Sequence, residues 1–395
     1  MVRSCGKRET QSQWSNALSP IQRCRLAWLT NVPSGDQIDL LRALAERPEL
    51  DLTVIYCSAR SVKGVIDCVE PGGRGRALKG RTLPGPGGRL FFNPSIVPHL
   101  LKTSYDLVIV GSYIHPTMQL AMLVRALQKR PWVLFGERPG MNNGSWWSTS
   151  LRRFPLMMVR TADAIIATGR LAQQQYETRF GPERPVFSLP YLVCPEPFLQ
   201  IDRAAKRAPN GVCFLACGEL IPRKGTDVLI KAFARAAHSL PNISLKIVGD
   251  GPERNTLMGR VPEKMKNRIT FTGLVPFAER TKPFAWSDVF VHPARHDGWG
   301  VVIQEALSAG LPVIATRQTG AAYDLVEEGK NGFLVEADDE DQLYERIVWF
   351  SEHQEQIPGL GAHARSRASS LTPEWGATQI VEIVRGVLRK RGLEI

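Results

Sequence analysis

Short apolar runs alternate with longer amphipathic stretches along this chain, and the alternation starts twice, near residue 25 and again near residue 212. Strand-like runs separated by helical patterns need crossover connections, and crossovers favour parallel sheets covered on both faces. Residues 25–31, 52–57, 107–110, 132–135 and 164–167 read as strands of a first sheet, with a helical stretch over 40–46. Residues 212–217, 244–249, 268–272, 289–292, 312–316 and 332–335 read as strands of a second, with a helix over 225–238. Between the two series, residues 195–210 turn polar, which puts a domain boundary near residue 200. The reading is a loose polar leader over 1–20, one α/β domain over 21–200, a second over 201–372 and a terminal helix over 373–395. Thr372 and Pro373 form a cap with proline at the first helical position, and Ile380, Ile383, Val384, Val387 and Leu388 then share one face.

A chain of 395 residues with 43% hydrophobic and 22% charged side chains is globular rather than disordered. No apolar run approaches the ~18 residues of a membrane span. Seven scattered cysteines, an odd number, point to a reducing, cytoplasmic setting. Cys213 and Cys217 lie on one face of a strand, where core filling is the expected role, and no metal site is expected. Residues 1–200 hold 25 Lys/Arg against 14 Asp/Glu, while the remainder holds 25 against 24. Two readings of that asymmetry stand: a solvated basic face, or a face that meets an anionic membrane or acceptor. Residues 71–89, rich in glycine and proline, read as a mobile basic loop carrying Arg74, Arg76, Lys79, Arg81 and Arg89. They lack interleaved aromatics, so nucleic acid is not an expected partner.

The chemistry concentrates in residues 293–312, PARHDGWGVVIQEALSAGLP. A strand runs into a glycine-rich turn and then a helix starting near Gly300. Gly298 and Gly300 let backbone approach a ligand, and the amides at the helix start form an anion site with Trp299 and Val301 alongside. Glu305, one turn inside the helix, is placed to accept from ribose hydroxyls, and Asp297 from a second polyol. Phosphate, ribose and polyol together describe a sugar nucleotide. In GELIPRKG, residues 218–225, two readings apply to Arg223 and Lys224: solvent-facing turn residues, or cations aimed at a diphosphate.

The block from Asp297 to Glu305 resembles the acidic motif of family-4 glycosyltransferases, two carboxylates with seven residues between them that include a glycine-aromatic-glycine turn. The usual first residue is Glu, and Asp297 stands in its place. Residues 315–335 are also similar to the family, including Gly320, Asp324, Gly329, Asn331 and Gly332, as are IVGDGPE (247–253) and FTG (271–273). The resemblance implies a GT-B fold, two doubly wound Rossmann-like α/β domains facing across a cleft, the last helix crossing back to the first. It implies donor contacts at Gly218, Gly249, Gly251 and Gly273, with Arg223 and Lys224 on the phosphates. Glu219 replaces the arginine that often follows the first of these glycines.

In the first domain the likeness is architectural. His115, in GSYIHP, has two equal readings, a structural histidine or one reaching the donor sugar. Glu137 and Arg138 follow a strand, on the ligand side of a parallel sheet, where they bind acceptor or pair with each other. Gly35 sits in the first strand-to-helix turn. The expected function is retaining transfer from a nucleoside-diphosphate sugar to a glycan or lipid-linked hydroxyl. The leaving diphosphate is then held by Arg223, Lys224 and the helix start, with no cofactor or divalent metal required. An epimerase or phosphorylase of the same architecture and, further off, a basic nucleic-acid-binding protein are the alternatives.

Overall fold

The computed structural model describes residues 23–33, 35–59, 75–85, 88–139, 156–202 and 211–393. The leader expected over 1–20, Arg74 and residues 203–210 of the polar connection near 200 lie outside the described residues. The first sheet has seven parallel strands in the order β3-β2-β1-β6-β7-β8-β9. These are β1 (Cys24–Thr30), β2 (Leu50–Tyr56), β3 (Gly75–Ala77), β6 (Leu107–Val110), β7 (Trp132–Gly136), β8 (Ala164–Ala167) and β9 (Val186–Ser188). The second sheet has six, β12-β11-β10-β13-β14-β15. They are β10 (Val212–Cys217), β11 (Ile243–Val248), β12 (Ile269–Gly273), β13 (Val289–His292), β14 (Val313–Thr316) and β15 (Gly332–Val335). In both sheets the strand order reverses beside the first strand, between β1 and β6 and between β10 and β13. At such a switch point, adjacent connections leave toward opposite faces and open a crevice at the carboxyl ends of the strands. Strands β6, β7, β8, β13 and β14 are buried along their length, because helices cover both sides.

The helices that matter to the site are α1 (Gly35–Ala45), α2 (Ile96–Lys102), α3 (Pro116–Leu127), α4 (Arg170–Phe180), α5 (Thr226–Ser239), α6 (Val301–Ser308), α7 (Gly320–Leu325) and α8 (Pro373–Lys390). Thr372 caps α8 by accepting from the Trp375 amide at 3.2 Å, and Ile380, Ile383, Val384, Val387 and Leu388 are all buried. That apolar face packs on α1 of the first domain, where Gly376 lies against Leu40 and Leu192. Arg385 with Glu49 and Arg391 with Asp163 add ion pairs at the same seam. The chain reaches the second domain before residue 200, since Phe198 is buried edge-on against Phe284 at 5.4 Å.

One expectation is corrected. Residues 75–92 are not a free loop: β3 pairs with β2, and β4 (Arg81–Gly85) pairs antiparallel with β5 (Gly88–Phe92). The glycines and proline that argue against a strand occupy an edge strand and a two-stranded hairpin, where a missing N–H costs no ladder bond. Asn93 anchors the segment, its Nδ2 donating to Cys57 O and Leu78 O. Arg76, Lys79, Arg81 and Arg89 remain exposed.

Candidate active site

The carboxyl ends of the two sheets face one another, and two connected cavities lie between them. The first, of about 500 Å³, is built mainly by the second domain and lined by Gly218, Lys224, Asp297, Gly300 to Val302 and Glu305. The second, of about 700 Å³, is walled mainly by the first domain through Asn31, Gly111, His115, Glu137 and Arg138. Glu137, Tyr191 and Asp297 border both. Any reaction between a molecule in one and a molecule in the other takes place beside these three.

Asp297 organises the charges. Its Oδ1 accepts from Arg223 at 3.1 Å, and its Oδ2 from Lys224 at 2.5 Å and His292 Nε2 at 3.1 Å. Burial alone would raise its carboxyl, but the His292 hydrogen bond and the Lys224 charge outweigh burial and hold it far below the usual carboxylate range. Burial keeps His292 neutral despite that bond, so its Nε2 carries the proton it shares with the carboxylate. The result is two cations converging on one buried anion, a cluster with a net positive charge. Lys224 faces the first cavity, while Arg223, also bonded to His296 O at 3.0 Å, faces the second.

Two glycines make this turn possible. Gly300 has φ +87°, and a side chain there would strike Thr319. Gly298 leaves room for Glu137, whose Oε2 lies where a side chain at 298 would begin. Gly300 caps α6, so amides that no helix carbonyl can pair border the first cavity with the positive end of the helix dipole. Glu305 lines this cavity and a smaller side chamber of about 280 Å³ formed with Gly249, Leu274 and Val275.

Some expected contacts fall elsewhere. Trp299 borders the first cavity, but it is 2% exposed and works mainly as a wedge, packed between Gly169 of the first domain and Gly320 of the second. Gly251 packs on Leu220 and Gly273 shapes a turn at φ +76°, and neither lines any of these three cavities; Gly35 opens α1. Gly249 lies tightly against Gly218, so close strand packing explains it as well. Glu137 and Arg138 part company rather than pair. Glu137 Oε1 accepts from Tyr191 at 2.9 Å, and Arg138 donates across the cleft to Gln318 O at 3.0 Å. Burial lowers the Arg138 pKa, and its Nε is buried without a partner among the described residues. His115 caps α3, and its Nδ1 accepts from the Phe91 amide at 3.4 Å. Burial drives its pKa down to about 4, so the ring is neutral at pH 7 with its proton on Nε2.

Sequence reasoning passed over Asp39, Tyr191, Phe277 and Arg280, all on the wall of the first cavity. Arg280 lies 4.0 Å over the Phe277 ring and 5.6 Å over Phe198, and among the described residues it has no ion pair. The signal available was position: Arg280 follows β12 closely, on the ligand side of the sheet. The same rule points to Asn31 and Gly111, at the first switch point.

Residues 211–353 match the family model described as Glycosyl transferases group 1. The GDP-mannose-dependent alpha-(1-6)-phosphatidylinositol monomannoside mannosyltransferase of Mycolicibacterium smegmatis is 31% identical over 212 residues, 49% of this chain and 53% of the relative. The lipopolysaccharide core biosynthesis glycosyltransferase LpsE of Rhizobium meliloti is 35% identical over 144 residues, 35% of this chain and 39% of that protein. The chain thus spans about half the length, or less, of these curated relatives. Among solved structures, Anabaena Alr3699/HepE in complex with UDP superposes with a TM-score of 0.72 at 20% identity, covering 92% of this chain and 99% of that one. Sucrose-phosphate synthase from Thermosynechococcus elongatus superposes at 0.73 and 20% identity, covering 93% and 100%. These structural likenesses establish the GT-B fold.

Proposed function

We propose that this chain, a GT-B protein whose second domain belongs to the glycosyl transferases group 1 family, transfers a sugar from a nucleoside-diphosphate sugar to a hydroxyl of a glycan or lipid-linked acceptor. The observation that carries the reading is the Asp297–Lys224–Arg223 cluster at the opening of α6, between a cavity ending at Glu305 and a second walled mainly by polar groups of the first domain. The diphosphate sits at Lys224 and the α6 amides, Glu305 takes the ribose hydroxyls, and the side chamber takes the base. The acceptor enters from the first domain, its hydroxyl beside Glu137 and Tyr191. Relatives that act on phosphatidylinositol mannosides and lipopolysaccharide core support an acceptor of the glycolipid kind.

The transfer proceeds with retention by front-face displacement. The anomeric carbon–phosphate oxygen bond breaks, the acceptor oxygen bonds that carbon from the same face, and the acceptor proton passes to the departing diphosphate. Lys224, Arg223 and the helix amides stabilise the charge that develops on the leaving group, and no divalent cation is required. His115, neutral, presents Nε2–H as a donor to a sugar hydroxyl. No helix among the described residues is long and apolar enough to cross a membrane.

Thermal unfolding against a panel of nucleotide sugars tests the reading. A ligand present at 100 times its dissociation constant adds about 2.7 kcal/mol to stability. No shift with any donor overturns the proposal. Product analysis separates the same-fold alternatives, because an epimerase needs no acceptor and a phosphorylase consumes inorganic phosphate.

A further inference from the structure

Residues 71–162 contain 13 Lys/Arg and only two Asp/Glu. Neither acid faces outward alone: Asp106 is paired with Arg25 at 3.0 Å, and Glu137 lies in the cleft. From this segment come α2, α3 and the short turn Val159–Thr161, which cover one side of the first sheet. Their inner faces are ordinary core, with Ile96, Leu100, Met118, Met122 and Val159 fully or almost fully buried. Their outer faces are not ordinary. Leu127 is 75% exposed, Met157 64%, Leu101 61% and Leu123 43%. Leu123 and Leu127 are one helical turn apart on α3. Gln128 donates to Leu100 O at 3.3 Å, which brings the ends of α3 and α2, with Leu127 and Leu101, side by side. Lys102, Lys129 and Arg160, all exposed, lie on the same three elements or just beyond them, and α2, α3 and the turn contain no acidic residue. Scattered exposed leucines need no explanation, but grouped leucines ringed by uncompensated cations do.

We infer that the outer face of α2 and α3, with the adjoining 157–160 turn, docks the first domain on an anionic lipid surface, the leucines entering the interface and the cations pairing with headgroup phosphates. Charge complementarity selects the occupant. A protein partner with a basic hydrophobic patch of this kind would have to be acidic throughout, whereas an anionic leaflet supplies negative charge over any footprint. Interfacial binding of this type combines buried apolar area with electrostatic attraction, and neither contribution alone holds a protein firmly. The placement also serves the site. His115, at the start of α3, lines the acceptor cavity, and Leu127 ends the same helix about 18 Å away at 1.5 Å per residue. Ile114, 45% exposed, lies on the cavity rim at the near end. A lipid-linked acceptor can therefore keep its chains in the bilayer while its headgroup enters beside α3. This inference deepens the glycolipid reading above and rests on it for the acceptor's chemistry.

Co-sedimentation of the full chain with vesicles of phosphatidylcholine, alone or mixed with phosphatidylglycerol, tests it. Binding is expected on the mixed vesicles only and declines with salt as screening shortens the reach of each charge. The triple variant Lys102→Gln, Lys129→Gln, Arg160→Gln should lose roughly a hundredfold in partitioning at low salt, about fivefold for each cation near the surface. Leu123→Ser with Leu127→Ser should abolish the salt-resistant fraction. All five positions are exposed and outside the cavities, so both variants should keep the wild-type melting temperature and its increase with nucleotide sugar. Equal binding to neutral vesicles, unchanged binding in both variants, or self-association that disappears in the leucine variant without any vesicle binding would overturn the docking face. Failure of nucleotide sugars to stabilise the wild type, with vesicle binding intact, would overturn the enzymatic reading instead.

Discussion

The two halves of the cleft solve the problem of holding a substrate in opposite ways. The second domain uses charge: a buried carboxylate fixes two cations, and a helix start adds its dipole. The first domain uses mostly neutral polar groups, among them Asn31, Tyr191 and a histidine that burial strips of its proton, and its two charged wall residues are tied down, Glu137 by Tyr191 and Arg138 by Gln318 O. The diphosphate leaving group of the proposed transfer demands the former, since charge develops there as the bond breaks. The hydroxyl acceptor of the proposed transfer suits the latter, since charges that already have hydrogen-bond partners ask no counter-ion of an uncharged polyol. The difference teaches which side recognises and which side does the electrostatic work.

Removing the charge from the second domain should have the largest effect. Lys224→Ala should lower turnover by roughly 10²–10³, the usual cost of losing one such group, with a smaller change in nucleotide affinity. Single-turnover rates beside calorimetric affinities check it; near-normal turnover would hand the phosphate role to Arg223 and the α6 amides.

The neutral side is probed through pH. His115 titrates near 4 in the folded chain against about 6.5 unfolded, so between these values the unfolded state holds the extra proton. Its contribution is therefore a penalty that is absent above pH 6.5 and grows as pH falls toward 4, reaching on the order of 3 kcal/mol. The variant His115→Gln should lose less stability than wild type over that window in denaturant titrations. Parallel losses in both proteins would mean the ring is more solvated than its packing on Phe91 implies.

Glu305→Gln comes next in size. An amide accepts more weakly than a carboxylate from ribose hydroxyls, and bonds to a charged group are worth roughly 1.5–3 kcal/mol. Calorimetry with nucleoside diphosphate should show affinity falling by at least about tenfold, each factor of ten being 1.4 kcal/mol. Unchanged affinity in a folded variant would remove Glu305 from the ribose.

The same contrast decides how much was legible beforehand. The charged site comes mostly from one stretch, residues 293–312, plus Lys224, so its strand, glycine turn and helix can be read as a local pattern. The neutral site is gathered from the ends of β1, β6 and β7 and from Tyr191, residues far apart in sequence and of types common on any surface. Only the switch-point rule links Asn31 to Gly111, and only the three-dimensional cleft brings Glu137 to Gly298. The hairpin over 81–92 was illegible for another reason. Its proline and glycines oppose strand formation in a sheet interior, and nothing local reveals that the pair stands alone.

The smallest expected effect concerns the seam between the two halves. Arg170, at the start of α4, donates through its backbone amide and its Nε to Asp324 on α7, at 2.9 and 3.0 Å, and stacks over Tyr323 at 5.2 Å. Beside it, Gly169 receives the Trp299 ring, and Arg138 spans the cleft to Gln318. The ion pair is half exposed on the Arg170 side, 57%, so its strength is that of a surface contact, at most about 1 kcal/mol after solvent screening. Yet it ties a helix of the first domain to the element that follows the Asp297 turn of the second, so its loss should act on the relation between the cavities rather than on either alone. Arg170→Ala should leave nucleotide affinity within about twofold, near the noise of surface substitutions, while kcat/KM for the complete reaction falls several-fold. A double-mutant cycle with Asp324→Ala isolates the pair, and a coupling of about 0.2–1 kcal/mol in the activation free energy is expected. Strictly additive losses would show that Trp299 and Arg138 hold the two halves in register without it.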